Sequence, residues 1–340
     1  MRYGTIAIIG RSNVGKSTFL NSALGMPLAI VSRLPQTTRD TLLGVVNSED
    51  AQLAFVDTPG LHKPKNELGR RMNHEAIESL RNADAALFMT DALDLASLSA
   101  PAEGASKKTA KKAPAKPAKG KAAARGKAAG AGRPRTRGTS TDLSDLELIA
   151  QLPADLPTVL VLNKIDRVRD KAKLLPVLQA LGAQHDFAAV VPISAKNGDG
   201  VERVLAEVAK LVPEQEARFA TDDVTDRPVS FFAREYIREQ VLALASREVP
   251  HAVAVTIDSF EESTTGMHVS ATMHVEKVGQ RAILVGHGGA MIRDIGTAAR
   301  MRLAQLTEQP VHLKLFVRVT ERWRDVPRQL AELGYKEEIS

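Results

Sequence analysis

Gly10-Arg-Ser-Asn-Val-Gly15-Lys16-Ser17 is the stretch that decides the fold. An apolar run, Thr5 to Ile9, leads into it, and a helix-period stretch, Lys16 to Leu24, leads out. A glycine turn between a strand and a helix, closing on Gly-Lys-Ser, is the pattern of a phosphate-binding loop. The glycines let backbone N–H groups approach phosphate oxygens, and the helix N-terminus that follows favours anions. Lys16 can reach the β- and γ-phosphates and the Ser17 hydroxyl can ligate Mg²⁺, with Gly10, Asn13, Val14 and Thr18 completing the cradle.

Further apolar runs follow at Leu53 to Val56, Ala85 to Met89, Thr158 to Leu162 and Ala188 to Val191. Helix-period stretches at Glu67 to Leu80, Leu143 to Leu152, Leu174 to Ala180 and Val201 to Leu211 separate most of them. This alternation predicts an α/β P-loop domain, a mostly parallel sheet with helices on both faces. Ligands of such sheets bind at the carboxyl ends of the strands.

Those ends carry the remaining chemistry. Asp57-Thr-Pro-Gly60 closes the run Leu53 to Val56, where a Mg²⁺-sensing carboxylate and a backbone N–H for the γ-phosphate are needed. Asn163-Lys164-Ile165-Asp166 and Ser194-Ala195-Lys196 follow the next two strands. A carboxylate at Asp166 can accept from both N1–H and the 2-amino group of guanine, a donor pair adenine lacks. An unpaired buried carboxylate would then penalise ATP. The Ala195 N–H is expected at the guanine oxygen, Asn163 as a brace between loops, and the Lys164 stem over the base. The ligand expected is therefore GTP or GDP.

Composition narrows the class. The 340 residues contain no cysteine, which excludes disulfides, thiolate catalysis and cysteine-held zinc, and the eight histidines show no metal spacing. Any metal must sit on oxygen ligands. No apolar run approaches a membrane span, and a strand begins almost at Met1, so no signal peptide is expected and the cytoplasm is the expected compartment. The formal net charge of +6 hides an uneven split: Pro101 to Thr141 holds eight Lys and four Arg against Glu103 alone and carries +11, leaving −5 on the remaining residues. The rest of the chain is mildly acidic. That Ala/Lys/Pro/Gly-rich tract, at about 97–142, has too few apolar side chains to offset ordering entropy and is expected to be a disordered basic insertion in the first domain. It reads equally as a tolerated surface loop or as an electrostatic arm for RNA or anionic lipid.

The first domain is read as 1–212 and a polar, proline-bracketed linker as 213–228. The segment 229–340 then reads helix (Phe231 to Ser246), strand (Ala252 to Phe260), strand (His268 to Val275), helix, glycine loop, helix (Met291 to Leu306), strand (Val311 to Val319) and final helix (Val326 to Leu333). Gly286-His287-Gly288-Gly289 between two helices is the setting of the GxxG loop that clamps single-stranded RNA in KH domains. This predicts an α+β type II KH domain. Arg281 and Arg293 are candidate cations beside the loop, equally readable as solvated helix charges. Ile283 and Ile292 are read as core first and base-packing faces second.

Taken in order, the four nucleotide strings resemble the guanine-nucleotide signature of the translation-factor-related GTPases. Pro35-Gln-Thr-Thr-Arg39 and Gly60-Leu-His-Lys-Pro-Lys-Asn-Glu-Leu-Gly69 resemble the first and second switch segments of the Era-type KH-domain GTPases, and Glu248-Val-Pro-His-Ala-Val253 and Pro310-Val-His-Leu-Lys-Leu-Phe-Val317 resemble their second half. The resemblance covers nearly all the chain outside the insertion. It implies that Thr38 closes on Mg²⁺ and the γ-phosphate, with Thr37 a credible neighbour, so that Lys16, Thr38 and Gly60 are the catalytic groups and Ser17, Thr38 and Asp57 the metal ligands. In related GTPases an asparagine at the Asn13 position can hold K⁺ near the phosphates, weighed here against a turn residue. Leu61 stands where Ras-like proteins place a water-orienting glutamine, so slow intrinsic hydrolysis is expected. His287 occupies a loop position where many relatives carry Lys or Asn. The resemblance further implies GTP hydrolysis coupled to binding the 3′ end of 16S rRNA in assembly of the 30S subunit, with peripheral contact at the inner membrane and a monomeric chain. Two other readings stay open: an RNA chaperone that uses nucleotide with little turnover, and an assembly GTPase acting on another RNA.

Overall fold

The computed structural model describes residues 1–92, 143–245 and 248–335. The expected basic insertion lies outside the described residues. A six-stranded sheet runs in the order β2-β3-β1-β4-β5-β6, formed by β1 (Arg2–Ile9), β2 (Leu42–Asn47), β3 (Ala51–Asp57), β4 (Ala85–Asp91), β5 (Thr158–Asn163) and β6 (Ala189–Pro192). β2 pairs antiparallel to β3, and every other pairing is parallel. Every residue of β4 and of β5 is buried, as expected of central strands covered on both faces. One face packs on α1 (Lys16–Leu24) and the other on α2 (Glu67–Arg81) and the short α3 (Asp145–Ile149), giving two apolar layers around the sheet. α3 is started by a capping box in which Ser144 and Glu147 satisfy each other's backbone N–H groups. α4 (Leu175–Gly182) and α5 (Val201–Leu211) complete this unit.

The strands and helices expected from the sequence are present, with ends displaced by a few residues. β2 was not anticipated: Gly44 and two polar flanks weaken its strand pattern, and pairing with β3 supplies what propensity does not. A Cβ at Gly44 would approach Leu20 Cδ1 to 2.7 Å, so the missing side chain lets this edge strand lie on α1.

The segment 213–228 is more than a spacer. Val45 N–H donates to the Val224 carbonyl (2.9 Å), Thr225 Oγ1 to the Leu43 carbonyl (2.7 Å), and the Gln52 amide to the Phe219 carbonyl (2.9 Å). It covers the open edge of the sheet, a common protection of edge strands. Beyond it, α6 (Val229–Leu244), β7 (Ala254–Ser263), β8 (Gly266–Val275), α7 (Val278–Val285), α8 (Ala290–Thr307), β9 (Val311–Val319) and α9 (Pro327–Glu332) form a second layer pair. Its sheet, β7-β8-β9, pairs β7 antiparallel and β9 parallel to β8. Ile237, Val255, Met273, Leu284 and Ile295 lie at its centre, and Ile283 and Ile292 pack partly buried against that core. The core assignment of those two isoleucines therefore holds. Among the described residues, no helix is long and apolar enough to cross a membrane.

Candidate functional site

The order of strands places β1 between β3 and β4, with the chain leaving β1 first toward β3 and later toward β4. A cleft opens at that switch point, beyond the carboxyl ends of the strands. Its cavity is about 530 Å³ and is lined by the phosphate loop, by Ser32, Arg33 and Gln36 to Thr38, and by Gly60, Asp91 and Lys164. The loop enters α1 at Gly15, whose φ of 108° is left-handed and whose missing Cβ leaves room for Asn163 Nδ2. Any side chain there would collide with the brace between loops. Lys16 is buried and its ammonium donates to the carbonyls of Gly10 (3.0 Å) and Arg11 (3.1 Å).

Ser17, Thr38 and Asp57 converge. Ser17 Oγ donates to Asp57 Oδ2 at 2.7 Å, Thr38 Oγ1 donates to the same oxygen at 3.2 Å, and the two hydroxyls are 3.0 Å apart. Asp57 is fully buried, and its second oxygen, Oδ1, has no hydrogen-bond partner. Burial pushes the Asp57 carboxyl above the ordinary range, with Lys16 and the two hydroxyls pulling it back. A hard-oxygen cluster with one orphaned carboxylate oxygen fits Mg²⁺, which takes one or two protein oxygens and completes its shell from phosphates and water. Loop 32–41 brings Thr38 to this cluster.

The base-side residues are arranged differently from expectation in two respects. Asn163 does brace the loops: its Nδ2 donates to the Val14 carbonyl (2.8 Å), and its Oδ1 accepts from the Lys164 (2.7 Å) and Ala195 (3.0 Å) amides. The Ala195 N–H is thus already engaged by Asn163 rather than directed at a base. Asp166 is exposed, not buried, in a single helical turn after β5, and Ser194 Oγ donates to it at 2.7 Å. Lys164 reaches Asp91 Oδ2 (2.7 Å) and the Asn13 carbonyl (2.6 Å), closing one wall of the cleft. Asn13 Nδ2 donates to the Arg33 carbonyl (3.1 Å). Lys196 is exposed and does not line the cavity.

The first switch segment is bonded to the second unit. The Arg39 guanidinium, buried and lowered in pKa by that burial, donates to the carbonyls of Val253 (2.6 Å) and His251 (3.0 Å) and to Tyr335 Oη (3.3 Å). It lies 5.7 Å from the Trp323 ring centre. Arg238 on α6 donates to the Thr37 carbonyl while its partner Glu235 holds it at 2.5 Å. Arg234 meets Asp40 at 2.8 Å. Glu239 accepts from the Val31 amide at 3.3 Å and from Arg302, whose Nη2 donates to the Pro27 carbonyl at 3.1 Å. The α6 charges read as ordinary helix surface in sequence. Their alternation with apolar residues carried no signal of these partners.

At the other end of the second unit, Gly286, Gly288 and Gly289 adopt φ of 72°, 59° and 77° in one short turn between α7 and α8. A Cβ at Gly286 would stand 2.7 Å from the Met291 amide. The turn presents His287 and Gly288 to solvent at the N-terminus of α8, a geometry that offers backbone N–H groups to a phosphate. Arg281 and Arg293 are exposed on either side, with Arg293 Nη2 3.4 Å from the Gly288 carbonyl.

A phosphate loop, Ser and Thr hydroxyls converging on a buried Asp, and a three-stranded unit with a glycine clamp together define a P-loop GTPase that carries a KH domain. Residues 5–117 match the family described as 50S ribosome-binding GTPase, and residues 248–324 match the KH domain family. GTPase Era of Lactobacillus delbrueckii is 36% identical over 98% of this chain and 95% of its own length. GTPase Era of Stenotrophomonas maltophilia is 37% identical over 98% and 97%. Two solved Era structures superpose at 31% identity over 99% of this chain and all of theirs. One is an Aquifex aeolicus Era variant bound to GDP and aluminium fluoride (TM-score 0.82), the other Era with MgGDPNP and nucleotides 1506–1542 of 16S ribosomal RNA (TM-score 0.81). The chain belongs to the Era family of GTPases.

Proposed function

We propose that the cleft binds GTP with Mg²⁺ and that the KH unit binds the 3′ end of 16S rRNA during assembly of the 30S subunit. The observation that carries the nucleotide half is the convergence of the part-buried Ser17 and Thr38 hydroxyls on the buried Asp57, whose second oxygen has no hydrogen-bond partner. Mg²⁺, when bound there, neutralises charge developing between the β- and γ-phosphates. Lys16 exchanges its two loop carbonyls for phosphate oxygens, the Gly60 N–H faces the γ-phosphate, and Asp166 receives the guanine edge. Loss of that phosphate removes the contact that favours the closed Thr38 loop, and the loop's bonds to Arg238 and to the Val253 backbone carry the change to the KH unit.

Support for the RNA half is the exposed glycine turn at the head of α8, together with the 16S fragment bound to the related Era. The working units are 1–212 and 229–340, joined by 213–228, and the chain acts as a monomer in the cytoplasm with peripheral contact at the inner membrane surface. K⁺ adds a second cation at Asn13, whose Oδ1 is bonded to no described residue. Equal turnover in KCl and NaCl at matched ionic strength would remove K⁺ from the account. Multiple-turnover GTP hydrolysis with and without small-subunit RNA, paired with sequencing of crosslinked RNA, tests the whole. Stimulated turnover and crosslinks at the 16S 3′ end support it. Crosslinks to another RNA class would redirect it.

A further inference from the structure

Leu61 cannot orient water: it is buried in the apolar layer beneath the sheet. A different glutamine stands in the cleft. Gln36, in the first switch segment two residues before Thr38, lines the cavity, and its backbone takes a φ of 60°. That left-handed conformation is costly for a side chain other than glycine or asparagine and persists where the surroundings enforce it. Two other non-glycine residues with left-handed backbone, Asn13 and Lys164, also line this cavity, and both make bonds that shape it. Gln36 fits the same pattern of strain held at a working site.

What holds Gln36 is His62 of the second switch segment. His62 is buried, its Nδ1 is 3.0 Å from the Gly60 carbonyl, and its Nε2 is 2.9 Å from Gln36 Nε2. A carbonyl can only accept, so Nδ1 carries the proton and Nε2 accepts from the Gln36 amide. This polarity fixes the amide orientation and leaves Gln36 Oε1 as an acceptor that no described residue engages. Gly69 permits the arrangement, since a Cβ there would come within 3.2 Å of His62 Nε2. The His62 ring is thereby tied both to the peptide that faces the γ-phosphate and to the glutamine across the cleft.

We propose that Gln36 is the catalytic residue that orients the attacking water, and that His62 is its positioning residue. Gln36 Oε1 accepts one water O–H and aims the oxygen at the γ-phosphorus. The water oxygen forms the new bond to phosphorus as the bond to the β–γ bridging oxygen breaks. The proton passes to the released phosphate, and no further reactant is required. The glutamine missing from the second switch is supplied in cis by the first. Because Thr37, its neighbour, is bonded to Arg238, the KH helix α6 is two bonds from the group that sets the rate. The inference rests on the nucleotide placement proposed above.

The test uses the full chain with Gln36→Gly, which suits the left-handed backbone and so keeps the loop while deleting the side chain. GDP affinity and KM should be unchanged, kcat should fall by about 10²-fold, and the GDP–aluminium fluoride complex should no longer form. His62→Ala should lower kcat with no additional loss when combined with Gln36→Gly. His62→Gln, which retains an acceptor for the amide, should restore part of it. Wild-type kcat in Gln36→Gly overturns the proposal. A parallel loss of GDP binding and kcat also overturns it, in favour of a structural role for the loop. Wild-type protein that fails to bind GDP would instead overturn the nucleotide placement.

Discussion

Arg39→Ala should separate the two halves of this protein. The guanidinium makes three hydrogen bonds to the KH unit, two of them to the main-chain carbonyls of Val253 and His251, and stacks near Trp323. Hydrogen bonds from a charged donor contribute about 1.5–3 kcal/mol each, and part of that offsets the burial that lowers the Arg39 pKa. Deleting the donor leaves neutral acceptors unpaired, at roughly 1–3 kcal/mol for each that stays dry, so the expected loss is about 3–5 kcal/mol. Arg39→Met keeps the apolar stem against Trp323 and should cost less. Trp323 is the single tryptophan of the chain, so its fluorescence follows the KH unit, while release of a fluorescent GDP follows the cleft. In urea the wild type should show coincident transitions, and in Arg39→Ala the Trp323 transition should move to lower urea ahead of GDP release. Coincident transitions in Arg39→Ala, with a loss below about 1 kcal/mol, would show that the contact is an unloaded surface pairing.

Three other outcomes follow from the same geometry. Asp57→Asn removes a buried carboxylate whose pKa burial raises, so the nucleotide-free protein should melt at the same or a higher temperature at pH 8 while Mg²⁺-dependent hydrolysis is lost; a lower melting temperature would contradict this. Asp166→Asn replaces an acceptor pair with a donor, so competition binding should shift preference from guanine toward xanthine nucleotides, and retained GTP preference would place the base elsewhere. Burial lowers the His274 pKa below its ordinary 6.5, where its ring bonds Thr256 (3.0 Å) and Thr320 (2.9 Å). The unfolded chain then binds the proton more readily, so this stability is complete above the ordinary value and is lost as pH falls through it toward the lowered one. Melting curves of wild type and His274→Gln between pH 7.5 and 5.5 should differ in slope, and parallel curves would exclude His274 as the cause.

Much of the site was legible because phosphate chemistry constrains sequence locally. Gly15, Lys16 and Ser17 must be consecutive to cradle a phosphate, and Asp57 and Asn163 must end strands, so spacing alone placed them. What escaped depends on pairing across distance. The Gln36–His62 bond joins two loops whose residue types are ordinary in loops, and only the left-handed backbone of Gln36 marks it. Arg234, Glu235, Arg238 and Glu239 repeat at helical spacing as any solvated face would, yet they are bonded to 31–40 of the first unit or to each other. Residues 213–228 are polar because they satisfy the edge of β2, not because they are free. The expected burial of Asp166 failed for a related reason: a carboxylate just past a strand end reads the same in sequence whether it is exposed or buried.

The most direct measurement of the central claim is the affinity of the full chain for RNA spanning the 16S 3′ end, titrated in Mg²⁺ with a non-hydrolysable GTP analogue and again with GDP. Because the closed Thr38 loop is bonded to the KH unit through Arg39 and Arg238, the two nucleotides should give different affinities, and Gly286→Asp should abolish binding in both. Equal affinities in the two nucleotide states, or RNA binding untouched by Gly286→Asp, would contradict the account.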